Sequence, residues 1–201
     1  LSTKEFLSLY VSYLSPRFMF NLGDYGPRSS YPDLATFFVW QFPFYILGLY
    51  LFLKSKRLGE LKFLTLLLLL ITPIPAALTR DPYTTIRALP LVIPQLIIIS
   101  FGIIKFLEKV ALRFRTVAYI GFTLFVIHSI LSLYSSGIIL NEYYRAKEWN
   151  YGLEQVADFI KTSENIPVIV DNSREEPYIQ LLFFSKFDPS TYQKENFEVP
   201  L

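Results

Sequence analysis

LTRDPYTTIRALP, from Leu78 to Pro90, is the stretch whose reading decides the fold. It separates two long apolar runs and gathers Arg80, Asp81 and Arg87 into one short turn. If the flanking runs cross a bilayer, those charges lie at its surface. Two arginines so close repel each other unless Asp81 or a bound anion offsets them.

Working outward, FLTLLLLLITPIPAAL precedes the turn, from Phe63 to Leu78. It is short for a span and reaches bilayer thickness by extending to Leu61 or Thr79. Ahead of it lies LATFFVWQFPFYILGLYLFL, Leu34 to Leu53, about one membrane-spanning helix in length. Its one strongly polar residue is Gln41, and Pro43 is expected inside it, where a spanning helix tolerates proline. After the turn come ALPLVIPQLIIISFGIIKFL, Ala88 to Leu107, and VAYIGFTLFVIHSILSLY, Val117 to Tyr134. Pro73 and Pro75 on one side, and Pro90 and Pro94 on the other, either kink their helices or open the helix ends under the turn. The expected fold is mainly α, with about four transmembrane helices over 34–134.

Composition agrees. Of the 201 residues, 52% are hydrophobic and 18% charged, against roughly 25% charged in soluble domains. The net charge of +2 makes no case for nucleic acid. The absence of cysteine excludes disulfides and thiolate chemistry, and a single histidine, His128, excludes a His-rich metal site. The opening STKEFLSLY has no signal-peptide pattern. The chain reads as a piece of a longer membrane protein, with an N-terminal transmembrane part as its missing partner.

The basic residues cluster. Lys54, Lys56, Arg57 and Lys62 face only Glu60, and Lys105, Lys109, Arg113 and Arg115 face only Glu108. The positive-inside rule places both loops on the cytoplasmic side of the plasma membrane. Residues 1–33, the turn at 79–87 and the C-terminal tail are then extracytoplasmic.

In the 1–33 loop region, Phe6, Leu9, Tyr10 and Tyr13 recur at helical spacing and predict a short helix. SPRFMFNLGDYGPRSSYPD then reads as loop, with turns at Gly23-Asp24 and Gly26-Pro27. The tail, 135–201, is more polar and is expected to be a small, incomplete α/β segment outside the membrane. Leu153, Val156, Ala157 and Ile160 predict a helix to about Thr162, PVIVD (167–171) a short strand, and 176–184 either a helix or a strand, with helix preferred. DPSTYQ reads as a turn.

The outer pieces carry Arg17, Asp24, Arg28, Asp33, Arg80, Asp81 and Arg87. Arginine suits phosphate because its planar guanidinium stays charged and offers paired donors. The competing reading is solvated charge beside lipid headgroups. Tyr143, Tyr144, Trp149 and Tyr151 fit an interfacial aromatic belt. His128 and Gln41 are read first as polar groups bonded within the helix bundle. No dinucleotide, P-loop, zincin or nucleophile-elbow motif occurs. Glu175-Glu176 reads as a helix-start pair.

YLSPRFMFNLGD, GPRSSYP and FPFYILGLY, followed by IPAALTRDPYTTIRALPLVIP, WNYGLEQVADFI and PYIQLLFFSKFDPSTYQ, resemble a family. It is that of the polytopic glycosyltransferases of the dolichyl-phosphate-mannose–protein mannosyltransferase type. Bacterial family 39-like members and the aminoarabinose transferase acting on lipid A belong to it. The resemblance implies a GT-C fold and inverting transfer of a sugar from a polyprenyl-phosphate carrier to an acceptor glycan, lipid or protein. It implies substrate-binding roles for Tyr13, Asp24, Arg28, Arg80, Asp81 and Arg87. Arg28, Arg80 and Arg87 would bind the carrier phosphate, and Asp24 or Asp81 would position an arginine or a sugar hydroxyl. The family's catalytic acid lies in a first outer loop with no counterpart here, so no catalytic residue is assigned and the fragment alone is expected to be inactive. No cofactor or metal is expected on this segment; the lipid-phosphate sugar is its donor, and membrane lipids are its surroundings. The alternative is a polytopic scaffold or transporter fragment that binds an anion at its outer loops, although no internal repeat joins 34–79 to 88–134.

Overall fold

The computed structural model describes residues 2–79, 83–163, 169 and 177–194, apart from the side chain of 147. It is mainly helical, and the described residues contain no strand. The helix expected to about Thr162 is present as Leu153–Thr162, and that over 176–184 as Tyr178–Phe184. The PVIVD stretch lies, apart from Ile169, outside the described residues, so no α/β segment is seen.

The chain divides into two compact units, 1–145 and 146–201. The first opens with α1 (Thr3–Tyr13). Its start is a capping box: the Glu5 N–H donates to Ser2 Oγ at 3.2 Å, and the Ser2 N–H to Glu5 Oε2 at 2.8 Å. What was expected to be plain loop then winds into a π-helical turn, Phe18–Leu22. Phe18, Met19 and Phe20 on it are buried, so this stretch forms part of the core. Its apolar run is too short to show a period, which is why it read as loop.

The first apolar run does not become one full span. Asp33 sits at φ 58, and the Phe37 N–H donates to the Met19 carbonyl at 2.9 Å. That bond ties Phe37 to the π-helical turn. Gln41 then caps the turn Val39–Gln41 by accepting the Phe38 N–H at 3.0 Å. The helix α2 (Phe42–Lys54) follows, with Pro43 in its first turn. There a missing N–H is tolerated, because the first-turn N–H groups of an α-helix have no partner within the helix. Val39–Lys54 is thus an apolar helix shorter than a span.

Among the described residues, three helical stretches are long and apolar enough to cross a membrane: Gly59–Leu78, Leu89–Lys109 and Leu112–Arg145. The first joins α3 (Gly59–Ile71) to α4 (Pro73–Leu78). Pro73 opens α4 and, lacking an N–H, interrupts the helical hydrogen-bond ladder there. The second leads from a short turn containing Pro90 into α5 (Val92–Lys109). The third is α6 (Leu112–Tyr134), a π-helical stretch Ser135–Leu140 and α7 (Asn141–Arg145). The helix thus runs on past Ser135, where the composition turns polar.

α2 and α5 approach at Gly48 and Gly102. A Cβ on Gly48 would stand 2.0 Å from the Ile98 carbonyl oxygen, and one on Gly102 2.0 Å from that of Phe44. Only glycine permits this contact, and close backbone packing is how apolar helices attract in lipid, where burial adds little. In the second unit α8 (Leu153–Thr162) and α9 (Tyr178–Phe184) meet where Lys161 Nζ donates to the Phe184 carbonyl at 2.8 Å. The stretch expected to be a turn opens α10 (Pro189–Lys194), capped by Asp188.

Candidate functional site

The end of α1, the 14–37 loop and the segment from Tyr83 onward meet in the first unit. Tyr13 is fully buried, and its hydroxyl accepts the Thr84 N–H at 3.1 Å. Asp24 spends both carboxylate oxygens on backbone. Oδ1 accepts the Gly26 N–H at 2.7 Å, closing an Asx turn, and Oδ2 accepts the Thr85 N–H at 2.5 Å. The Tyr25 N–H donates to the Tyr83 carbonyl at 3.1 Å. Phe18 bridges them: its ring stacks on Tyr83 at 5.5 Å and meets Tyr13 edge-on at 5.2 Å. Tyr83 itself sits at φ 55, a conformation these contacts hold in place.

Tyr13 and Asp24 thus have polar atoms engaged with the backbone of Thr84 and Thr85. Arg28 and Arg87 are exposed on the segments so joined. Arg80 and Asp81 lie outside the described residues. Among the described residues no group of acidic or histidine side chains has metal-site geometry.

A second feature lies where α7 ends. The Arg145 Nη2 donates to Ser30 Oγ at 3.2 Å, and Ser30 Oγ to the Gly26 carbonyl at 2.9 Å. Ser136, in the π-helical stretch, donates to the Pro32 carbonyl. Between them lies a cavity of about 350 Å³, lined among others by Asn21, Ser30, Asp33 and Arg145. The Arg145 Nε is enclosed and has no hydrogen-bond partner among the described residues. An enclosed N–H without an acceptor costs about 1–3 kcal/mol, so such groups are seldom left so.

That cavity adjoins another of about 320 Å³, with Asn21, Asp33 and Leu34 common to both. The second is walled by aromatics. Trp40 lies flat against Phe125, rings 5.2 Å apart and 6° from parallel, while its indole N–H donates to Ser129 Oγ at 2.9 Å. His128 and Ser132 line the same wall. Together the two cavities make one cleft, polar at the Arg145 end and aromatic along α6.

The sequence reading singled out neither Arg145 nor Ser30. A usable signal exists: Ser129, Ser132 and Ser136 recur at three and four residues in a largely apolar helical stretch. They mark the face of α6 and its π-helical continuation that meets Trp40 and the loop. The chain matches no protein-family model, no curated protein and no solved structure.

Proposed function

We propose that this chain is the C-terminal, substrate-facing part of a membrane glycosyltransferase that moves a sugar from a polyprenyl-phosphate carrier to an acceptor at the extracytoplasmic face. The observation that carries the reading is the tether between Asp24 and Thr85. Together with the Tyr13–Thr84 bond it joins the segment bearing Arg28 to that bearing Arg87, at the end of apolar helices. A departing phosphate needs positive charge more than it needs a proton, and preorganised guanidinium groups supply that without reorganising. Tyr13 and Asp24 act as positioning residues, Arg28, Arg80 and Arg87 as phosphate ligands, and Asp81 as the partner that holds an arginine or a sugar hydroxyl. The acid–base chemistry belongs to residues outside this chain.

The test is transfer by the full-length protein in membranes. Arg80→Ala and Arg87→Ala should each abolish transfer while insertion stays normal. Unchanged turnover in both variants removes the proposal.

A further inference from the structure

We propose that the cleft between the 20–39 loop and the end of the α6–α7 helix binds a phospholipid whose headgroup carries both a phosphate and a primary ammonium. The inference does not rest on glycosyl transfer and would survive its failure. Three observations carry it.

The first is the polar end. Arg145 presents an enclosed Nε with no partner among the described residues, beside the hydroxyl of Ser30, to which its Nη2 already donates. A guanidinium so placed suits a phosphate oxygen. The second is the charge balance. Asp33 lines this cavity too, exposed and on a left-handed backbone, while Asp24 has given both oxygens to backbone N–H groups. One cation and one available carboxylate within a single cavity complement a headgroup with both charges. A purely anionic headgroup would face Asp33 at a cost, and a quaternary choline offers it no N–H. The third is continuity. Asn21, Asp33 and Leu34 also line the aromatic cavity, where Trp40 is fixed by Phe125 and Ser129. Phe20, Phe37 and Phe125 complete an apolar wall of the kind an acyl chain needs.

Trp40 also reports on the site. The chain has two tryptophans, so Trp149→Phe leaves Trp40 alone. The full chain carrying that change is placed in phosphatidylcholine nanodiscs with a minor fraction of brominated lipid. Brominated phosphatidylethanolamine should quench Trp40 at a several-fold lower fraction than brominated phosphatidylcholine or phosphatidylglycerol. Arg145→Gln should remove that preference. Asp33→Asn, which keeps a residue at ease with the left-handed backbone, should bring phosphatidylglycerol level with phosphatidylethanolamine. Equal quenching by all three lipids would mean ordinary contact with surrounding lipid and would overturn the proposal. So would strongest quenching by phosphatidylglycerol, or a preference that persists in both variants. Inorganic phosphate and free phosphoethanolamine are added in parallel; relief of quenching by either would show that the cleft reads a soluble phosphate and not a lipid.

Discussion

Asp24 holds the Thr85 N–H at 2.5 Å across 61 positions of sequence. This carboxylate helps fix how the segment from Tyr83 onward lies against the first loop. Tyr13 grips the neighbouring N–H, that of Thr84, from the end of α1.

Removing either grip should loosen the same few residues. Asp24→Ala leaves the Thr85 N–H without its acceptor and is expected to cost about 1–3 kcal/mol; Tyr13→Phe, which keeps the ring against Phe18, about 1 kcal/mol. Because both act on adjacent N–H groups, the double variant should depart from the sum of the two. Thermal unfolding in detergent of the four proteins in the cycle measures this. Strict additivity would show that the two bonds act independently.

Gly48→Ala or Gly102→Ala would drive a methyl group into a carbonyl oxygen of the facing helix. Neither backbone can move aside without parting α2 from α5. The loss is expected at the upper end of overpacking costs, about 3 kcal/mol or more. Gly121→Ala is the control, since a Cβ there meets nothing within 4 Å. It should leave the melting temperature unchanged or slightly raised, as glycine is a poor helix former.

Gln95 is 1% exposed within α5, and its Nε2 has no partner among the described residues. Gln95→Met keeps the length of the side chain and removes the unsatisfied amide. We expect stability to hold or rise, by as much as about 1–3 kcal/mol. A clear fall in melting temperature would show that the amide is satisfied by something the folded chain needs.

Asp188 caps α10. Its carboxyl accepts from the hydroxyls of Ser190 and Thr191 and from both of their backbone N–H groups. The Ser190 hydroxyl bond, then that of Thr191, holds its pKa below the ordinary value. A lowered folded pKa gives stabilisation that is present above the unfolded value, about 3.9, and lost as pH falls through the folded one. Amide exchange at Ser190 and Thr191 should therefore be pH-independent in its protection from neutrality to about pH 5 and lose protection in strong acid. Asp188→Asn should leave no such acid transition.

The proposed orientation has its own check. The chain lacks cysteine, so single cysteines at Ser55 and Tyr25 are clean labels. A membrane-impermeant thiol reagent added to intact cells should reach Tyr25→Cys and spare Ser55→Cys. The reverse pattern, or labelling of both, rejects the assignment from basic loops.

Much of this protein is settled by composition along the chain. Long apolar runs can be stable only as helices that satisfy their own backbone in lipid or in each other's company, and three of the four runs become such helices. The periodicity of Phe6, Leu9, Tyr10 and Tyr13, and of Leu153 to Ile160, is local information and yields α1 and α8 directly. Tertiary contact decided the rest. The run at 34–53 starts its helix late because Phe37 is claimed by Met19 and Phe38 by Gln41. Tyr13 and Asp24 accept backbone N–H groups 71 and 61 positions away, contacts that only the folded chain brings together. Arg145 joined the cleft only once α6 ran on far enough to carry it beside Ser30. Helix formation answers to neighbours along the chain, while a binding cleft depends on which distant groups the folded backbone brings within hydrogen-bond reach.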